Sequence, residues 1–180
     1  EATGSPTTAT WSNAGLGIHH LTAEATASDG ILHVSEPRPV WVTGLPSPWV
    51  SEPIGAVGPD GSGTITAAGT ANLRNAGDDI WNRQDAFRFV HRPMVGDLRI
   101  QARVDSLQHV HTWTKVGVMV RSGTDANAPH AFMAITGNSG AAFQYRSSTG
   151  DTSRHIGGGS GDEPVWVRME RRGDDLIGYR

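Results

Sequence analysis

The stretch His111-Thr112-Trp113-Thr114-Lys115-Val116-Gly117-Val118-Met119-Val120-Arg121 decides how the rest of this chain is organised. Taken with a period of two, Val116, Val118 and Val120 fall on one face, and Trp113, Lys115, Gly117, Met119 and Arg121 on the other. The expected element is a strand with one buried face. Its other face gathers an indole, an ammonium, a position without a side chain, a thioether and a guanidinium. Such a set can stack on a flat ligand and donate hydrogen bonds around it. The competing reading is plainer: Lys115 and Arg121 are solvated or paired with carboxylates, and Trp113 covers an edge.

The same period recurs outward from this stretch. Leu98, Ile100, Ala102 and Val104 point inward from one strand, with Arg99, Gln101 and Arg103 outward. Further short strands are expected over 131–136, 141–146, 164–171 and from Leu176 onward. Phe143, Tyr145, Val165, Val167 and Met169 complete the inward set, leaving Gln144, Arg146, Trp166, Arg168 and Glu170 on the outer faces. Upstream, Ala14 to His20 and Ile31 to Val34 read as short strands. Five prolines between Pro37 and Pro53 mark a semi-rigid linker or an edge segment.

Composition agrees with many strands and few helices. Of 180 residues, 37% are apolar, 23 are Gly and 10 are Pro; no window carries a sustained helical spacing of apolar residues. Strands recurring without helices between them indicate an antiparallel sandwich or jelly roll, all-β and without substantial helix. The net charge of −3 provides no general basic field, which argues against a nucleic-acid reader. No apolar run is long enough for a membrane span. Cysteine is absent, so disulfides, thiolate metal sites and cysteine nucleophiles are excluded.

Six ordered motifs carry a resemblance: Asp79-Ile80-Trp81, Asp85-Ala86-Phe87-x-Phe89, Gly96-Asp97, Trp113-x-Lys115-x-Gly117-x-Met119-x-Arg121, Phe143-x-x-Arg146 and Pro164-x-Trp166-x-Arg168. Together, over Trp49 to Arg180, they resemble the DUF1349 or "regulation of enolase protein 1" family of the concanavalin A-like lectin/glucanase superfamily. The resemblance implies a two-sheet antiparallel jelly roll found as an accessory module in secreted bacterial proteins, hence an extracellular or cell-surface location. In that family the last strands follow the Arg-x-Gly turn, whereas Ala14 to His20 and Ala27 to Val34 here resemble those closing strands placed ahead of the domain. The expectation is a window cut from a tandem array. Residues 1–45 then hold a terminus, the closing strands of a preceding repeat and a proline-rich linker, and 46–180 a jelly roll truncated at its C-terminal end. A rotated arrangement, with the early strands completing the later sheet, is the alternative.

The candidate ligand-binding residues are Trp113, Lys115, Met119, Arg121, Gln144, Arg146, Trp166, Arg168 and Glu170. If their three strands share a sheet, they place cations, an amide, a carboxylate and indoles on one surface, the types that bind sugars weakly and gain from avidity in an array. The alternative is a ladder of cross-strand ion pairs that only solubilises the sheet. No Glu-x-Asp-x-Glu strand and no Gly-x-Ser-x-Gly elbow occurs, so no catalytic residues are assigned and no enzyme is expected. His109 with His111, His19-His20, and Asp78-Asp79 with Asp60 are too sparse for a metal centre, and turn chemistry explains the carboxylates better than Ca²⁺ does. The expected function is therefore a non-catalytic extracellular module with weak carbohydrate or cell-surface recognition, its partners a polysaccharide and neighbouring domains of the same chain. A spacer or docking unit without a ligand is the alternative, and a glycoside hydrolase a more distant one. No cofactor is assigned.

Overall fold

The computed structural model describes residues 17–180 except Thr43, Pro59, Asp60, Ala67 and Ala76. Ala14 to Leu16 of the expected first strand, and Asp60 of the considered carboxylate group, lie outside the described residues. The chain is all-β; among the described residues there is no helix, hence none long and apolar enough to cross a membrane.

The first strands are short: β1 (Gly17–Leu21), β2 (Glu24–Thr26), β3 (Leu32–Val34), β4 (Arg38–Val42), β5 (Val50–Ile54), β6 (Ser62–Ile65) and β7 (Ala71–Arg74). A tight hairpin follows, β8 (Ile80–Trp81) and β9 (Gln84–Asp85), then β10 (Phe87–His91) and β11 (Leu98–Val104). The body closes with β12 (Lys115–Arg121), β13 (His130–Thr136), β14 (Ala141–Arg146), β15 (Arg154–Gly157), β16 (Val165–Arg172) and β17 (Asp175–Tyr179).

Two antiparallel sheets make the body. One has the order β12-β13-β14-β15, the other β11-β16-β17. Val116, Val118, Val120, Phe143 and Tyr145 from the first sheet meet Ile100, Val104, Val165, Val167 and Met169 from the second in one apolar cluster. The alternation therefore assigns the inward residues of β12, β14 and β16 correctly. Ile135, Val167 and Met169 are wholly buried, each contributing about 1.5–3 kcal/mol of transfer free energy. Ala102 shares the inward register of Ile100 and Val104 yet stays exposed.

A second apolar cluster lies on the opposite face of the four-stranded sheet, where Ile54, Ile80 and Phe87 pack on Met119, Phe132 and Ala134. That sheet is covered on both sides, so every residue of β13 is buried. Proline is accommodated by the thin ribbons early in the chain: among the described residues Pro39 lies in β4, which pairs only with β1, and Pro53 in β5, which pairs only with β10.

Gly117 is required for steric reasons. A Cβ at this position would run into the carbonyl of Met133 on the neighbouring strand. Gly117→Ala is expected to lower stability by about 2 kcal/mol or more through overpacking between β12 and β13. Urea unfolding measures it, and a change below about 0.5 kcal/mol would show that the two strands separate freely.

Candidate functional site

The candidate residues do not form one surface. Lys115, Met119 and Arg121 on β12, with Gln144 and Arg146 on β14, share the outer face of the four-stranded sheet. Trp166, Arg168 and Glu170 on β16 belong to the other sheet and point away from the first. Trp113 reaches the same outer face as Lys115 through its indole, whose centroid is 5.8 Å from Lys115 Nζ, although the strand itself begins only at Lys115. Upstream of it, His111 N–H donates to Thr114 Oγ1 at 3.0 Å and Trp113 N–H to His111 Nδ1 at 3.0 Å, making a side-chain-braced turn where alternation predicts extended chain. Its indole stands edge-on to His155, with ring centroids 5.6 Å apart.

The outer face of the four-stranded sheet is filled. The β8–β9 hairpin crosses it as a strap, turning at Asn82, whose φ of 49° is left-handed. Lys115 Nζ donates to Asp79 Oδ1 at 2.5 Å and to the Ile80 carbonyl at 3.0 Å, fixing the near end. At the far end Ser153 N–H donates to the Asn82 carbonyl at 2.8 Å, and Arg83 to the Gly150 carbonyl at 3.0 Å. Asp85 is set between them by its own N–H, which donates to the Ala126 carbonyl at 2.9 Å.

Asp85 is the centre of a buried ion triad. Arg146 grips it in bidentate fashion, Nη2 to Oδ1 at 2.6 Å and Nη1 to Oδ2 at 2.8 Å, and Arg121 Nη1 reaches the same Oδ2 at 2.6 Å. All three side chains are no more than 1% exposed. Arg146 also donates to the carbonyls of Asn82, Ala128 and Asp151 and to Ser153 Oγ, joining the strap to two loops. Arg121 caps Phe87, with the guanidinium carbon 5.6 Å from the ring centroid, and burial lowers its pKa against the opposing pull of Asp85.

His130 completes this row between Arg121 and Arg146. Its Nδ1 is 3.6 Å from Asp85 Oδ2, beyond hydrogen-bond distance, and neither ring nitrogen has a protein partner. Burial, with the two guanidinium groups, pushes its pKa down to about 4 against the pull of Asp85, so the imidazole is neutral near pH 7. Two cations thus share one carboxylate beside an uncharged histidine.

The outer face of the three-stranded sheet is open but paired. Glu170 lies among three guanidinium groups: Arg172 at 2.6 Å, Arg168 at 3.2 Å and Arg99 at 4.0 Å. The hydrogen bond from Arg172 is the main cause holding its carboxyl below the usual range. Arg168 also stacks on Tyr179, 4.0 Å from its centroid. Trp166, opposite Arg103 in register, is 54% exposed. His109 and His111 do not converge on a metal: His109 Nε2 bonds Glu163 at 2.9 Å, which raises the imidazole pKa. Among the described residues no three His, Asp or Glu side chains gather as ligands.

Asp85, Asp79 and His130 were missed as partners of the predicted face. One sequence signal pointed to them. Ala131-Phe132-Met133-Ala134-Ile135 is a continuous apolar run with no polar alternation, the pattern of a strand buried on both faces. A covered neighbour requires the cations of β12 and β14 to find carboxylates inside the protein.

Between the sheet edges lies a cleft of about 2190 Å³, lined along their full length by β10, β11 and β12. Among the described residues each of these strands pairs on one side only, with β5, β16 and β13 respectively. In comparisons with known proteins, no family model, no curated protein and no solved structure matches the chain.

Proposed function

We propose that the chain is a non-catalytic, jelly-roll-type β-sandwich module that docks and spaces parts of a larger extracellular assembly and holds no small ligand on its four-stranded sheet. The extracellular setting follows from the family resemblance of its motifs. One observation carries the preference for docking over ligand binding: Lys115, Arg121 and Arg146, the cations expected to grip a ligand, are each bonded to Asp79 or Asp85 beneath the strap. A sugar hydroxyl arriving there would have to break charge-assisted bonds inside the fold, at a cost greater than a single hydrogen bond returns.

A second reading rests on Trp166. Its indole beside Arg103 and Arg168 is 54% exposed, against 39% for Trp113, and is the more open of the two predicted aromatic platforms for a glycan ring. Pull-down on insoluble polysaccharides and a glycan array, with and without Ca²⁺, separates the two. The docking reading expects no retention by the wild-type chain. Retention that a folded Trp166→Ala, Arg168→Ala variant loses would replace it with glycan recognition on the three-stranded sheet.

A further inference from the structure

The four-stranded sheet is packed on both faces yet stops abruptly at β12, whose outer edge opens into the cleft. A sheet covered on both faces has no ready route to water for an unpaired ladder, and a long free edge is a template for another strand. β10 and β11 bring two more unpaired edges to the same cleft.

At the other end of the chain the reverse imbalance holds. Among the described residues β1 pairs only with β4, and β2 only with β3. Leu21, Ile31, Leu32, Val34 and Val40 are between 37% and 56% exposed there. A two-stranded ribbon is marginal in water until it packs against something. Pro39 removes one donor from β4, so β1 has the better edge for extending a ladder.

Charge makes the two surfaces complementary. Residues 17–42 carry Glu24, Asp29 and Glu36 against Arg38 alone. Along the cleft, with the buried Lys115 and Arg121 and the Asp79 that pairs with Lys115 set aside, six cations stand against two carboxylates. Among the described residues Arg74, Arg88, Arg92 and Arg171 line it without a carboxylate in ion-pairing reach.

We propose that the cleft is a strand-acceptor site whose occupant is the β1–β4 ribbon of a second copy of this chain, with β1 adding to the free edge of β12. This rests on the docking reading and names its partner. The ladder supplies the affinity, and the carboxylates at the β2–β3 end of the ribbon supply steering toward the cationic cleft. Two copies that exchange ribbons close into a dimer; one-way donation builds an open chain of copies.

The test uses the full chain in analytical ultracentrifugation from ~10 μM to ~1 mM, with hydrogen exchange on the same samples. The expected result is a mass that rises at least to the dimer, with slowed exchange at the β12 amides. Glu24→Arg with Glu36→Arg, and separately Arg74→Glu with Arg92→Glu, are all exposed changes expected to leave the circular dichroism unchanged. Each pair should weaken association about ten-fold, and mixing the two variants should restore it. A monomer throughout the range, association without protection of β12, or no restoration on mixing would overturn the proposal. None of these results depends on polysaccharide retention, so the docking reading and its named partner stand or fall separately.

Discussion

Replacing Asp85 by alanine is expected to cost the fold about 3–5 kcal/mol, enough to unfold a domain of ordinary stability. The substitution removes the only carboxylate that the buried Arg121 and Arg146 side chains share, leaving two guanidinium groups out of water without a counter-charge. It also releases the strap, because Arg146 fastens the Asn82 carbonyl in the same arrangement. Asp85→Asn should be nearly as severe, since an amide puts N–H donors where two guanidinium groups already donate. The size of the effect comes from stranding charges rather than from the net strength of the pair. A variant that also replaces Arg121 and Arg146 by methionine should therefore recover much of the loss. Urea unfolding of the variants reads this directly. If Asp85→Ala stays within about 1 kcal/mol of wild type, the arginines reach water and the covered face is not closed.

Alternation along β12 and β16 gives the faces correctly and says nothing about what covers them. Val116, Val118 and Val120 lie in the core as their spacing requires. For the other face the residue types leave two readings, an open ligand surface or cations paired with carboxylates, and Lys115 and Arg121 are paired, with Asp79 and Asp85. Asp85 comes from a two-residue strand far from β12 and β14 in sequence, so nothing local announces it. Sheet membership is illegible for the same reason: β14 pairs with β13 and β15 while β16 pairs with β11 and β17, and identical alternation serves either partner. Trp113 shows the limit of periodicity at strand ends, where the side chains of His111 and Thr114 capture backbone N–H groups and the ladder starts only at Lys115.

Acidification from pH 6.5 to about 4 is expected to remove about 3 kcal/mol of stability through His130 alone. Its native pKa is depressed to about 4 from an ordinary 6.5, so within that window the unfolded chain binds a proton that the native chain refuses. Stability from this group is complete above pH 6.5, falls as the pH drops through the window, and changes no further below it. The groups that face the ring are Asp85, Arg121 and Arg146, and the two guanidinium groups are cationic throughout. His109 acts with the opposite sign, since Glu163 raises its pKa and its contribution is lost as pH rises. The wild-type curve alone therefore mixes opposing slopes. Subtracting the stability of a His130→Gln variant, which has no titrating ring, isolates the effect. The difference should be level above pH 6.5 and slope by up to about 1.4 kcal/mol per pH unit below it. A difference that stays flat would mean that the ring titrates normally. Solvent would then reach the space between the two arginines, and the strap would be a cover that opens rather than a fixed layer of the core.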